Sequence, residues 1–120
     1  MLLTKYSPKQ SLNKAYLKEK ISRSTMDQFK QNFAVFLNHT NANRNDEEHL
    51  KSQVAYFLRD TWFKESHHIN PIGKNDLVIH TGKSTADPAG VIIEVKSLTN
   101  KVEMLTLDKP NTKALHELVL

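Results

Sequence analysis

The chain has 120 residues, 38% of them hydrophobic and 25% charged, enough for one small domain with a single core. Its 17 lysines and arginines against 13 acids leave a formal charge of +4, which permits nucleic-acid contact without requiring it. No run approaches the about 18 apolar residues of a membrane span, the opening Met-Leu-Leu-Thr-Lys reads as too short and polar for a secretory signal, and the lack of cysteine excludes a disulfide framework and thiolate metal sites.

In chain order, residues 8–20 are rich in lysine, leucine and alanine, and the weak stripe Leu12, Ala15, Tyr16, Ile21 predicts a first helix. "STMDQFKQNFAVFLNHTN" predicts a stronger second one. Ser24 is its expected N-cap with Asp27 three residues on, and Met26, Phe29, Phe33, Phe36 and Leu37 form its packing face. "NANRNDEEHL" breaks the pattern and restarts it, with Asn45 as the expected cap and Asp46, Glu47 and Glu48 loading the first turn of a third helix. Leu50, Val54, Phe57, Leu58 and Thr61 define its buried side. At roughly 100° per residue, Glu47 falls inside that face and Glu48 points away from it.

Trp62 to Ile69 is expected to be extended and to end in a turn at Pro71 and Gly73. "NDLVIHT" reads as a strand with Leu77 and Ile79 on one face and Asp76, Val78 and His80 on the other. "GKSTADPAG" is a connection, and "VIIEVKS" is a second strand with Val91, Ile93 and Val95 opposed to Ile92, Glu94 and Lys96. "NTKALHELVL", capped by Asn111, begins a last helix that no terminating signal closes, so a fragment of a longer chain is expected. Helices, then strands, then a helix give an α+β or mixed α/β class. The expected organisation is one domain over 1–120: helical over 8–60, a sheet over 62–97, and a final helix from about residue 111.

Three charges stand in the most strand-like part of the chain. Burying an unpaired charge costs several kcal/mol, so each needs a partner or a role. Glu94 and Lys96 are two apart and emerge on one face, and Asp76 opens the strand expected to neighbour them. Two hard carboxylates converging there, with the Val95 carbonyl, suit Mg²⁺, or Mn²⁺ in its place. A lysine beside them can position or help deprotonate a water. Phosphodiester hydrolysis needs this combination. Taken alone, the pair Glu94 and Lys96 is equally explained as a surface ion pair. His67 and His68 are adjacent and face opposite ways, and His80 is about 13 Å along the strand from Asp76, so no histidine joins this set.

Asp76, seventeen residues, then Glu94-Val95-Lys96 at the end of an apolar strand resembles the PD-(D/E)xK nuclease signature, with Asn75 in place of the usual proline. With "NDEEHLKSQVAYFLRDTWF" before it and "VIIEVKSLTNKVEML" closing it, the stretch from about residue 25 to 120 is similar to the N-terminal endonuclease region of type IIG bifunctional restriction-modification enzymes. The resemblance implies a restriction-endonuclease-like core, a mixed central sheet flanked by helices, acting on double-stranded DNA in a bacterial cytoplasm. It implies metal binding by Asp76 and Glu94, a catalytic role for Lys96, and an assisting role for Glu47 on the preceding helix. Lys74 and Asn75 flank Asp76, and Lys101 and Lys113 lie where that family's chain runs near the site; all four are candidates for DNA backbone contact. Methyltransferase and target-recognition domains would be partners outside this chain, and a homodimer would serve double-strand cleavage. The alternative from another class is a non-catalytic DNA-binding or interaction module with a degenerate site. An RNA nuclease or a junction resolvase on the same core is a third.

Overall fold

Residues 4–22 carry no apolar stripe wide enough to bury, and their structure follows from that. In the computed structural model, which describes residues 4–70 and 76–119, the helix expected over 8–20 shrinks to one turn, α1 (Pro8–Ser11), and a 3₁₀ turn at Tyr16–Lys18, all exposed. A capping box between Ser7 and Gln10 starts α1, but so short a helix with nothing to pack on does not propagate.

The second helix, α2 (Arg23–Ala42), is capped by Ser22 rather than Ser24: the Ser22 hydroxyl accepts from the Thr25 amide at 3.2 Å. The third, α3 (Glu47–Leu58), is capped by Asp46 rather than Asn45, with Asp46 Oδ1 accepting from the His49 amide at 2.9 Å. A carboxylate there satisfies an orphan amide and adds negative charge at the positive end of the helix dipole. The phenylalanine stripe of α2 meets α3 at one side chain. Phe57 lies with its ring centroid 5.9 Å from Phe29, 5.8 Å from Phe33, 5.4 Å from Phe36 and 5.6 Å from Trp62. Met26 and Leu37, expected in the same face, stay exposed at its margins.

Trp62 belongs to that cluster because the chain does not become extended after α3. A π-helical turn at Arg59–Phe63 prolongs the helix instead. It is secured by the aromatic contacts and by Gln28 and Asn32 of α2, which donate to the Asp60 carbonyl and the Thr61 hydroxyl. The sheet therefore begins only at β1 (Ile69–Asn70), followed by β2 (Leu77–His80) and β3 (Ala89–Ile93), in the order β1-β2-β3. Both pairings are antiparallel, so the described strands form an antiparallel sheet where a mixed one was expected. The expected turn at Pro71 and Gly73, and the candidate residues Lys74 and Asn75, lie outside the described residues.

The alternation in "LVIH" is realised on β2: Leu77 and Ile79 are buried and pack with Ile69, Ala55, Val54, Leu58, Phe63 and Ile93. This core fixes α3 against one face of the sheet. His80 departs from the alternation and is buried as well. Gly90 is an extra residue of β3 at this point, since Ile79 pairs with Val91 but His80 with Ala89. The His80 ring contacts the Asp87 carbonyl through Nδ1 at 2.7 Å. The last helix, α4 (Lys113–Val119), buries Ala114. Four helices and a three-stranded sheet give a mixed α and β fold among the described residues. No helix there is long and apolar enough to cross a membrane.

Leu77 has no exposed surface at all. Its replacement by alanine is expected to cost about 2–5 kcal/mol, by lost transfer energy plus a cavity between α3 and the sheet. Urea denaturation of Leu77→Ala beside the wild type checks this, and a change under about 1 kcal/mol would mean that the α3–sheet core collapses around the deletion.

Candidate functional site

The antiparallel register sets the site. Leu77 pairs with Ile93 as the last step of the β2–β3 ladder. Asp76 immediately precedes Leu77 and Glu94 immediately follows Ile93, so they flank that pair, and both carboxylates line one cleft of about 770 Å³. Glu94, Val95 and Lys96 lie just past the last paired residue of β3, so the expected strand ends three residues earlier than the motif does. Their place is kept by α3 instead. The Ser97 amide donates to Glu47 Oε2 at 3.3 Å, and the Leu98 amide to the Arg44 carbonyl at 3.2 Å. Glu47 is half-buried and turned to the cleft, while Glu48 is exposed at its rim, as the helical phase requires.

Lys96 is the centre of the cleft. Its side chain is 4% exposed, and its ammonium lies 2.5 Å from Glu117 Oε2, 2.8 Å from Glu94 Oε1 and 3.4 Å from Glu103 Oε2. Burial alone would lower its pKa, but the hydrogen bonds and charges of Glu117 and Glu94 outweigh that and hold it above the ordinary lysine value. Lys96 is therefore a fixed cation and a poor proton acceptor. Lys113, expected near the site, lines the cleft and reaches Glu103 at 3.5 Å and Glu117 at 3.7 Å. Lys101 is exposed and lies outside the lining.

Sequence reasoning thus finds Asp76, Glu94, Lys96, Glu47 and Lys113, and the structure brings all five to one cleft. It misses Lys51, Glu103 and Glu117. The helical phase places Lys51 beside Leu58, at the edge of the buried face. Glu117 is four residues from Lys113 and so shares its helical face. Glu103 is reached across the connection through Asn100, whose side chain donates to Glu103 Oε2 at 3.1 Å, a contact with no periodic signal.

The lining holds six carboxylates (Glu47, Glu48, Asp76, Glu94, Glu103, Glu117) and three ammoniums (Lys51, Lys96, Lys113), a formal charge of −3. Among the described residues Asp76 makes no side-chain hydrogen bond or ion pair, and Glu94 Oε2 is likewise without a partner. These are hard oxygen donors in an open acidic cleft, chemistry that fits a divalent cation. The described residues contain no group of three histidine, aspartate or glutamate side chains already gathered as a metal cluster.

The carboxyl of Glu103 is held below the ordinary glutamate value, chiefly by the Asn100 hydrogen bond, against a smaller upward effect of burial and with help from Lys113 and Lys96. A carboxyl lowered in the folded state is protonated first in the unfolded chain. Its contribution to stability is full above about pH 4.3 and is lost as pH falls through the folded value. The melting temperature of the wild type is therefore expected to fall more steeply on acidification below that point than that of Glu103→Gln. Thermal melts across this range check it; parallel curves would mean that Glu103 carries no such linkage.

No curated protein and no solved structure matches the chain. One family does match, over residues 6–120, and the chain belongs to it: a domain of unknown function, DUF7149.

Proposed function

We infer that this chain is a metal-dependent endonuclease domain of PD-(D/E)xK type, with a restriction-endonuclease-like core of the kind found at the N-terminus of type IIG restriction-modification enzymes, hydrolysing phosphodiester bonds of double-stranded DNA. The observation that carries this reading is the convergence of Asp76, Glu94 and Lys96 in one cleft, with unpartnered carboxylate oxygens beside a buried ammonium. A cleft of charge −3 repels a phosphodiester, so acting on one requires a cation between the carboxylates and the phosphate.

Asp76 and the free oxygen of Glu94 would hold Mg²⁺ or Mn²⁺, with the Val95 carbonyl as a further donor. The bound cation supplies charge neutralisation and Lewis-acid polarisation of the phosphate. Glu94 also acts through its other oxygen, Oε1, which orients Lys96. The Lys96 ammonium, held protonated by its carboxylate neighbours, donates to a phosphate oxygen and stabilises developing negative charge, while the attacking water gives its proton to solvent. Glu47 fixes the backbone at Ser97 and so sets the reach of Lys96. An ammonium has three N–H donors and here faces three carboxylates, so it can turn to water or phosphate only when one of them yields. Glu103, the most distant of the three from Lys96 at 3.4 Å, is the contact most easily given up.

The same saturation favours a second reading, a non-catalytic DNA-binding or interaction module in which Lys96 is a structural tie. Nicking of supercoiled plasmid with Mn²⁺ separates the two. The nuclease reading expects wild-type nicking that falls at least about a hundredfold in Asp76→Asn, a near-isosteric change at a group without a side-chain partner among the described residues, and similarly in Lys96→Ala if that variant stays folded. Removing Lys96 leaves three carboxylates facing one another and is expected to cost about 3–5 kcal/mol, which is why Asp76→Asn decides. Nicking unaffected by Asp76→Asn, or no metal-dependent nicking by the wild type, would sink the nuclease reading in favour of the module.

A further inference from the structure

The positive charge of the chain is not in the cleft. The whole sequence carries +4 and the cleft lining −3, so the remaining residues carry +7, that is, +4 minus −3. Part of this gathers at the other edge of the sheet. A second groove, of about 380 Å³, is lined by Arg59, Lys64, His67, His68, Ile69 and Lys83. Five of these six are basic residue types, and no acid lines the groove. The π-helical turn after α3 brings Arg59 and Lys64, the start of β1 brings the histidines and Ile69, and the loop after β2 brings Lys83. The His68 amide donates to the Gly82 carbonyl and the His80 amide to the His68 carbonyl, both at 2.8 Å, which ties these segments together. The cleft adjoins the start of β2 and the β3 edge; the groove adjoins the end of β2 and the β1 edge.

The cations of the groove are only lightly engaged. Arg59 uses Nε on Asp60 at 2.8 Å and stacks its guanidinium 5.0 Å from the Tyr56 ring, and its two terminal nitrogens have no partner among the described residues. Lys83 approaches Glu65 at 3.8 Å, and both side chains are well exposed, an arrangement worth little. Lys64 makes no ion pair among the described residues. The His67 ring is packed edge-on against Phe63, 5.1 Å between centroids, with Nδ1 on Ser66.

We propose that this groove is a docking site for the phosphate backbone of duplex DNA, separate from the acidic cleft. The choice of polymer rests on the nuclease reading above; the groove itself rests on its own residues. Affinity for a nucleic acid comes from cations that neutralise phosphates and release counterions. The net-acidic cleft cannot provide this, whereas a guanidinium and two ammoniums around a concave surface can, with two imidazoles beside them as further hydrogen-bonding groups. The domain would hold the backbone at the β1 edge and reserve the cleft for the one phosphate that reacts.

The test is fluorescence anisotropy of a short duplex DNA in EDTA over a salt series, with wild type, the Lys64→Ala and Lys83→Ala single variants, their double variant, and Lys30→Ala, at an exposed position of α2, as a control that matches each single variant in charge. All three substitutions are at exposed positions. The expected result is a loss of about tenfold or more in affinity for the double variant, and a slope of log affinity against log salt shallower by roughly two. Lys30→Ala should bind like the wild type. A loss in Lys30→Ala equal to that of the single variants, an unchanged double variant, or no duplex binding by the wild type at low salt would each overturn the site. Tighter binding of a hairpin RNA, lost in the same double variant, would overturn the choice of DNA. Plasmid nicking run in parallel keeps the two readings apart. Loss of binding in the double variant with no wild-type nicking leaves the groove standing and removes the nuclease. Nicking with no effect of the double variant on binding does the reverse.

Discussion

One ammonium joins three separate parts of this chain. Lys96 is bound by Glu94 next to it, by Glu103 in the long connection and by Glu117 on α4. The connection over residues 98–112 contains no strand or helix, and Val102, Met104, Leu105 and Leu107 along it are exposed. Hydrophobic burial therefore does little to place it. The carboxylates around Lys96 hold it instead, together with the Ala114 amide on the Glu103 carbonyl at 3.2 Å. A buried charge with one partner would be a poor anchor, because desolvation offsets the Coulombic gain. Lys96 has more than one partner, and the hydrogen bonds and charges of Glu117 and Glu94 move its pKa up despite burial.

The same arrangement links the core to the chemistry. Leu77 and Ile79 hold β2 under α3, and the Leu77–Ile93 pair brings its flanking residues Asp76 and Glu94 to one end of the hairpin. Glu47 at the start of α3 and Arg44 in the turn before it bind the two amides that follow Lys96. Thus the helix whose apolar face completes the core, with the turn leading into it, also carries the polar groups that aim the motif. Displacing α3 would loosen the core and misdirect Lys96 together. Electrostatics divides the molecule in a second way. The acidic cleft is suited to a small hard cation and is hostile to an unscreened phosphate, while the basic residues lie elsewhere on the surface.

Much of this is legible in the residues alone. Period-2 alternation in "LVIH" marks β2, because a half-buried sheet face leaves a strong local pattern; the alternation expected in "VIIEVK" is not realised, since Val91 and Ile92 of β3 are both exposed and the strand ends at Ile93. The helical phase of α3 places Glu47 inward and Glu48 outward, because one rigid helix carries its phase from Leu50 back to its first turn. Other features are not legible, for identifiable reasons. Ser22 and Asp46 displace Ser24 and Asn45 as caps because neighbouring polar residues compete for the same orphan amides. Trp62 to Ile69 reads as extended, but Trp62 continues the helix through contacts with Phe29 and Phe57, which are tertiary and invisible to a local window. Alternation assigns His80 to the polar face, where the Asp87 carbonyl at 2.7 Å and the His68 ring at 5.4 Å cover it, contacts that no local pattern marks. Glu103 and Glu117 escape a local reading because they reach Lys96 across 7 and 21 residues of chain, without a shared period.

The carboxylate excess bears on why so many acids surround a single lysine. If Lys96 were only a structural tie, two carboxylates would satisfy the charge and the geometry, and a third would add repulsion among Glu94, Glu103 and Glu117. Asp76 and Glu47 would add still more, in a cleft already at −3. Such repulsion is tolerated where a further positive charge is expected to enter. The fold keeps Asp76 without a partner among the described residues and Glu94 with one oxygen uncommitted. The ion pairs of Lys96 and the free carboxylates then belong to one arrangement. The ammonium fixes the first carboxylate in place, and the cation that the cleft is short of would relieve the rest.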